Sequence, residues 1–182
     1  MNDTPDAAGS GGSPGLRNSP LRSEHEALGA RLVDFGGWEM PLSYPSGTIA
    51  EHLACRHAAA CFDVSHLGTV RVTGEAALSL LQANLTNDLT KVAPGRAQYT
   101  HLLDPEDASV LDDIIVWWVS PERFDVMPNA SNTEGVTSAL PGVDVTLERC
   151  VLAVQGPNAR AKAALVDPRF GEVARFRVER LD

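Results

Sequence analysis

Basic side chains, cysteines and long apolar runs are all scarce in this chain of 182 residues. It has 15 Lys and Arg residues against 24 Asp and Glu residues, so its net charge is -9, and the cations form no cluster. Because nucleic-acid phosphates are bound through clustered Lys and Arg, this balance argues against a nucleic-acid partner. No apolar run approaches the roughly 20 residues that cross a bilayer, so we predict no membrane segment.

Cysteine usage points to a reducing compartment. Cys55, Cys61 and Cys150 are odd in number and lack the spacing of a disulfide framework, so we expect a cytoplasmic protein. Cys55 and Cys61 fall on different faces of a predicted helix, which argues against a disulfide or a shared metal between them. The spacing of these two cysteines with His57 and His66 matches no common zinc site, so we predict no metal.

The first eighteen residues also lack features of targeting segments. They are rich in Gly, Ser, Pro and Asp, without the basic start and apolar centre of a signal peptide or the arginines of a transit peptide. We predict that residues 1–18 form a disordered tail. A phosphate-binding loop and a dinucleotide fingerprint are absent too, because Gly36-Gly37 lacks the glycine pattern that should follow.

What the chain does contain is alternating helix and strand signals. Helices are predicted over residues 21–30, 46–61, 75–85 and 157–166, and from Ser131, which forms a capping box with Glu134, to Leu140. In the helix over 46–61, an apolar arc includes Leu53 and continues to Cys61, and we place His57 on it as a core or interface residue. Gly36-Gly37 between aromatic residues predicts a tight turn with close backbone approach.

Short runs of period two predict strands. They cover residues 70–72, 98–103, 109–120, 124–127, 143–147 and 151–155, and Asp104-Pro105-Glu106-Asp107 predicts a hairpin loop between two of them. Strands linked by hairpins, with helices between them, predict an α+β fold of antiparallel sheets with flanking helices.

Two adjacent acids in the strongest strand are the main chemical signal. Because successive side chains of a strand point to opposite faces, Asp112 shares a face with Ile114 and Val116, whereas Asp113 shares the other with Ile115. A carboxylate among apolar residues needs hydrogen-bond partners or a ligand, and burial tends to raise its pKa, which suits proton handling. The alternative is structural, with one acid pairing with an arginine or capping a bulge.

Other polar residues are more ambiguous. Asn129, after a strand and Pro128, either bonds its own backbone in a turn or directs its amide at a ligand. Ser65-His66 suggests a catalytic pair, but sequence neighbours point in different directions and no glycine elbow surrounds the serine, so we do not expect Ser–His catalysis.

Several segments together resemble the glycine-cleavage T-protein (aminomethyltransferase) family over about residues 19–160. They are Ser19-Pro20-Leu21 with His25; Phe35-Gly36-Gly37-Trp38-Glu39-Met40-Pro41; Phe62-Asp63-Val64-Ser65-His66-Leu67-Gly68; Leu85-Thr86-Asn87-Asp88; Gly95-Arg96-Ala97-Gln98-Tyr99; Asp112-Asp113-Ile114-Ile115; Pro128-Asn129-Ala130; and Gln155-Gly156-Pro157-Asn158. The resemblance implies the N-terminal half of a folate-binding aminomethyltransferase. It would move a one-carbon unit from the aminomethyl-lipoyl arm of H-protein to tetrahydrofolate, its co-substrate, and release ammonia.

The family match also implies roles for particular residues. Asp113 matches the catalytic aspartate that hydrogen-bonds the folate nitrogens, and Tyr99 and Asn129 match positions lining the folate pocket. Leu67 matches an apolar contact to the pterin. The family usually has a glycine pair before the acidic strand, where this chain has Asp107-Ala108-Ser109, so that turn is expected to differ.

The resemblance implies a truncated fold of discontinuous parts. Residues 19–66 would begin a first domain, residues 67–142 would form an inserted antiparallel second domain, and residues 143–182 would return to the first, leaving it incomplete. Because a pterin-gripping acid and an arginine-bearing domain follow in the family, the alternative function is a folate- or H-protein-binding fragment without turnover.

Overall fold

The computed structural model describes residues 15–181 as an α+β fold with three separate sheets, which confirms the predicted class. The strands are β1 (Arg17–Asn18), β2 (Arg31–Phe35), β3 (Trp38–Ser43), β4 (Ala60–Asp63), β5 (Val70–Thr73), β6 (Arg96–Leu103), β7 (Val110–Ser120), β8 (Arg123–Met127), β9 (Val143–Asp144) and β10 (Leu152–Gln155). The helices are α1 (Arg22–Ala27), α2 (Thr48–His57), α3 (Ala77–Asn84), α4 (Thr133–Ala139), α5 (Ala159–Val166) and α6 (Pro168–Glu172).

A small sheet with the order β1-β3-β2 forms the N-terminal part. Gly36 and Gly37 make the turn between β2 and β3 with φ values of 59° and 82°, the conformation that glycine adopts at least cost. The predicted tight turn is therefore correct, but a Cβ at Gly37 would meet nothing within 4 Å, so close backbone approach is not its cause. Of the predicted tail, residues 1–14 lie outside the described part, and Arg17–Asn18 form β1 instead.

A five-stranded antiparallel sheet, in the order β6-β7-β8-β5-β9, holds the main core. Its inner face carries alternate residues of the long strands, packed against apolar side chains of α3 and α4. The fully buried members of this cluster are Val70, Val72, Ala77, Leu81, Leu89, Ile114, Val116, Phe124, Val126 and Val136. The opposite face of the sheet, here called the open face, carries the exposed side chains of Asp113 and Ile115 on β7.

The two-stranded sheet of β4 and β10 packs beside α2 and α5. The helix predicted over 46–61 is wrong at its C-terminal end, because Ala60 and Cys61 lie in β4. The cause is a long-range contact: the backbone of Gly156 lies so close that a Cβ there would be 2.5 Å from the carbonyl of Ala58, and Asn158 N donates to that carbonyl. No residue of α2 is buried and His57 is exposed, so of its two predicted places, core or interface, the core is wrong and the interface stays a prediction.

Two further local predictions are corrected by side-chain contacts. Ser131 is not the N-cap of α4, since its hydroxyl donates to Asn132 Oδ1 and a short 3₁₀ turn precedes the helix. The strand predicted over 143–147 stops at Asp144, whose carboxylate accepts from the backbone N–H of Thr146 and turns the chain into a 3₁₀ helix. In the part that the structure describes, no helix is long and apolar enough to cross a membrane.

Candidate functional site

The paired acids of β7 emerge on opposite faces of the sheet, as the strand alternation predicts. Asp112 is only 3% exposed and lies on the inner face with Ile114, whereas Asp113 is exposed on the open face. Asp112 accepts hydrogen bonds from Asn129 N at 2.9 Å, Asn129 Nδ2 at 2.8 Å and Asn132 Nδ2 at 2.8 Å. These donors satisfy the buried carboxylate in the way that burial demands.

Asp113 is held by donors from the strands on both sides of β7. Tyr99 on β6 donates its hydroxyl to Asp113 Oδ2, and Asn129, which follows β8, donates from Nδ2 to Asp113 Oδ1 at 3.0 Å. The Tyr99 hydrogen bond, and then that of Asn129, lower the pKa of Asp113 below its ordinary value. The expectation that burial would raise a carboxyl pKa therefore fails for Asp113, because this side chain is exposed. The same hydrogen bond raises the pKa of Tyr99.

A cleft of about 540 Å³ opens beside Asp113. Its lining residues come from the β2–β3 turn, the segment after β4, the start of β7 and the segment after β8; they are Phe35, Gly36, His66, Leu67, Val110, Leu111, Asp112, Asp113, Asn129, Ala130, Ser131 and Asn132. Of the predicted site residues, Leu67, Asp113 and Asn129 line the cleft. Tyr99 does not line it, but its hydroxyl hydrogen-bonds the lining residue Asp113. The structure thus brings all four together.

Leu67 reaches the cleft because Gly68 allows its segment to pack tightly on the end of β8. Gly68 N donates to the carbonyl of Pro128 at 3.1 Å, and a Cβ at Gly68 would lie 2.7 Å from Pro128 Cγ and also clash with Thr133 Oγ1. Only glycine fits this approach without a shift of its neighbours. Leu67 and Asn129 therefore meet across the cleft although they are far apart in sequence.

Ser65 and His66, which were not expected to form a catalytic pair, direct their side chains to different surroundings. Ser65 is buried and its hydroxyl accepts from Val151 N at 2.9 Å. His66 lines the cleft instead, packing edge-on against Phe35 with ring centroids 5.2 Å apart. Burial lowers the pKa of His66, only partly offset by the charge of Asp63, so its ring is neutral at neutral pH.

Asn132, His66 and Phe35 are cleft residues that the sequence reasoning did not assign to the site. A signal for Asn132 was present, since it follows Asn129 by three residues in a segment that turns at a strand end. Two asparagines so placed can both direct amides at the neighbouring strand. Among residues 15–181, no group of three or more His, Cys, Asp or Glu side chains could hold a metal ion.

The open face continues from Asp113 along β7 as a flat, partly apolar surface. Tyr99, Ile115 and Trp117 share this face with Asp113, since Tyr99 pairs with Ile115 and the side chains alternate. Arg149 lies over the Trp117 ring at 5.5 Å from its centroid. An acid beside exposed aromatic and aliphatic groups is suited to a flat ligand that carries N–H donors.

A sequence model of the GCVT N-terminal domain family matches residues 21–171. The chain belongs to this family. An aminomethyltransferase of Frankia alni is 48% identical to this N-terminal-domain chain over 171 residues, covering 88% of it and 47% of the relative. That of Mycobacterium bovis is 47% identical over 152 residues, covering 79% of this chain and 41% of the relative.

Solved structures give the same family relationship. The crystal structure of the glycine cleavage system aminomethyltransferase T from Bartonella henselae matches with a TM-score of 0.80 and 34% identity, covering 89% of this chain and 46% of that one. This member of the GCVT family therefore spans about half the length of the curated relatives that it matches.

Proposed function

We propose that this chain supplies the folate site of a glycine cleavage system aminomethyltransferase. The enzyme would move a one-carbon unit from the aminomethyl-lipoyl arm of H-protein to tetrahydrofolate, with release of ammonia, and would act in the cytoplasm. The observation that carries the proposal is Asp113, an exposed carboxylate held by Tyr99 and Asn129 beside a cleft that Leu67 also lines. The aminomethyltransferases to which this chain is similar support the reaction type.

Asp113 fits the proposed chemistry as a charged acceptor. In the transfer, the methylene carbon forms bonds to two folate nitrogens while its bonds to the lipoyl sulfur and to the amino nitrogen break. The two folate protons leave with the thiol and with ammonia, so atoms and charge balance. Because its pKa is lowered, Asp113 is ionised at neutral pH, and it would accept a folate N–H and stabilise positive charge on the attacking nitrogen.

The remaining groups would orient the folate. The exposed side chain of Ile115 on the open face would support its aromatic rings, and Leu67 would contact the pterin from across the cleft. We also propose that residues 19–66 and 143–182 belong to one discontinuous domain. The pairing of β4 with β10 supports this division. The five-stranded sheet would form the inserted domain, and because β9 (Val143–Asp144) pairs with β5 in that sheet, the return to the first domain would begin after Asp144 and not at residue 143.

Calorimetry with tetrahydrofolate tests the site directly. We expect saturable binding by the 182-residue chain and binding about 10-fold to 100-fold weaker in Asp113→Asn, since a hydrogen bond to a charged group contributes about 1.5–3 kcal/mol. Glu122→Gln is the matched control, because it removes one exposed charge in the turn between β7 and β8, away from the cleft. Equal affinity of the wild type and Asp113→Asn would contradict the assignment.

A second candidate is a folate- or H-protein-binding unit without turnover. The chain spans 41–47% of the length of these relatives, and the residues that surround Asp113 lie within it. Adding aminomethylated H-protein and tetrahydrofolate to the chain, and assaying ammonia, separates the two functions. Ammonia release supports the transferase, whereas folate binding without ammonia supports the binding unit.

A further inference from the structure

Asp112 is a buried acid that the proposed reaction leaves without a role. All three of its hydrogen-bond donors are uncharged amides, and all come from the segment that follows β8. Two of the three belong to Asn129, which offers both its backbone N–H and its side-chain amide. A carboxylate held this way fixes the backbone and the side chain of one residue together.

Asn129 stands opposite Asp113 when the pairing of β7 and β8 is continued. The last pair of the ladder at this end is Ile115 with Met127, and two residues further on each strand are Asp113 and Asn129. Pro128 lies between and has no N–H to donate, which ends regular pairing. The backbone N–H of Asn129 instead donates to Asp112 Oδ2 at 2.9 Å, so the carboxylate accepts the hydrogen bond that a strand carbonyl would accept if the pairing continued.

The side-chain amide of Asn129 is shared between the two adjacent acids. Its Nδ2 lies 2.8 Å from Asp112 Oδ1, 3.0 Å from Asp113 Oδ1 and 3.2 Å from the carbonyl of Asp113. A primary amide has two N–H groups, so one serves Asp112 and the other faces Asp113. The bond to Asp112 therefore decides that the amide nitrogen, and not its oxygen, points at Asp113.

We propose that Asp112 is a positioning residue that acts through Asn129, holding its amide so that an N–H faces the carboxylate of Asp113. Asn132 contributes by donating from Nδ2 to Asp112 Oδ1, the same oxygen that accepts from the side-chain amide of Asn129. The inference rests on the proposed function only in taking Asp113 as the acid of the site. Its test needs no folate, because it concerns the geometry between three side chains.

The variant Asp112→Asn keeps the size of the side chain, and the direction in which it moves the pKa of Asp113 distinguishes the proposal from its alternative. Removing a negative charge next to Asp113 would, by itself, lower the pKa of Asp113. Losing the aligned Asn129 donor would raise it. Tyr99 and His101, the other polar and titratable groups facing Asp113, are unchanged in the variant. We expect the Asp113 pKa, followed by carboxyl-carbon NMR, to rise, and the Asn129 side-chain amide signals to move.

A fall in the Asp113 pKa, or no change with the Asn129 amide signals in place, would overturn the proposal. Asp125→Asn is the matched control, since Asp125 is an equally buried acid on β8 that binds Arg71 and Arg123 instead. It should lower stability without moving the Asp113 titration. If only a general loss of structure were involved, both variants would act alike.

Asn129→Ala keeps the test open should Asp112→Asn fold poorly. On its own it must raise the Asp113 pKa, and adding Asp112→Asn to it must then lower that pKa, because only the charge effect is left. A rise in both backgrounds, or none in Asn129→Ala, contradicts transmission through Asn129. We expect tetrahydrofolate to bind about tenfold more weakly to Asp112→Asn than to the wild type. If the wild type binds no tetrahydrofolate, the proposed function is refuted, but the NMR test of the geometry around Asp113 is unaffected.

Discussion

At the scale of single residues, the value of Asp113 lies in its charge and its accessibility. Two neutral donors, from Tyr99 and Asn129, stabilise the ionised form without covering it. The carboxylate can therefore accept a further hydrogen bond from a ligand while staying unprotonated near neutral pH. Its neighbour Asp112 has the opposite environment, since it is buried and accepts three hydrogen bonds from amide groups.

Tyr99→Phe is predicted to raise the pKa of Asp113 towards its ordinary value of 3.8. The reason is the loss of the phenolic donor, which is the largest contribution to the lowered pKa. A lowered pKa gives stability that is present above the unfolded-state pKa and lost as pH falls through the folded-state pKa. In the variant that loss is smaller and is complete at a higher pH, which carboxyl NMR titration and acid unfolding will show.

The control for this variant is Tyr44→Phe, which changes the only other tyrosine of the chain. Its hydroxyl bonds His25 Nδ1 at 2.9 Å, away from the cleft, so the Asp113 titration should stay as in the wild type. A matching rise of the pKa in Tyr44→Phe would mean that the effect is not local to the Tyr99–Asp113 bond.

How far residues could be assigned from sequence depended on the range of the contacts. The opposite orientation of Asp112 and Asp113 follows from strand alternation alone, and the structure confirms it, with Asp112 buried and Asp113 exposed. The partners of Asp112 could not be found this way, because Asn132 reaches it only after the chain has turned at Pro128. The lowered pKa of Asp113 likewise depends on Tyr99, which lies on another strand.

At the scale of elements, the β6–β7 hairpin contains a residue whose backbone conformation costs conformational free energy. Ala108 has a φ of 61°, in the left-handed region, at the turn where related chains were expected to carry glycines. The turn is nevertheless well bonded, since Ala108 N donates to the carbonyl of Asp104, and Ser109 N to the carboxylate of Asp107. An alanine in this conformation costs about 1–2 kcal/mol.

Ala108→Gly is therefore predicted to raise the free energy of unfolding, by up to about 1 kcal/mol after the greater entropy of unfolded glycine is subtracted. Ala83→Gly is the matched control in the exposed part of α3, where the same change should cost about 1 kcal/mol. Urea unfolding followed by circular dichroism measures both. A loss of stability in Ala108→Gly would show that the turn is not strained at this residue.

Elements with a strong periodic signal were predicted well, and those ended by distant contacts were not. β7 and the apolar face of α3 follow from their own residues. The end of α2 follows from a segment about a hundred residues later, where the Gly156 backbone packs closely on Ala58 and Asn158 N donates to the Ala58 carbonyl. A local pattern contains no information on such a contact.

At the scale of the whole molecule, one apolar groove of about 740 Å³ lies beside β10. Its exposed large side chains include Leu152, Val154, Phe170 and Val166, the last of which is 83% exposed. Soluble monomers rarely leave a contiguous apolar patch of several hundred Å² open to water. This chain by itself should therefore associate.

We predict that the isolated chain associates as its concentration rises, and that Val166→Glu combined with Leu152→Glu reduces this without lowering the free energy of unfolding. Sedimentation velocity measures the first and chemical unfolding the second. Leu147→Glu adds the same kind of charge at an equally exposed position outside the groove, and it should leave association unchanged. Equal effects of the two sets of charges would attribute association to net charge instead.

The bulge in β7 bears on how the two acids are oriented. The pairing of β6 with β7 shifts register between Leu102 and Leu103, so Leu111 is an extra residue between the hairpin turn and the two acids. Without such a bulge, inserting or deleting one residue in the turn would exchange the faces of Asp112 and Asp113. The bulge instead takes up Leu111 as the odd residue, so the hairpin turn has its present length while Asp112 stays on the inner face and Asp113 on the open face.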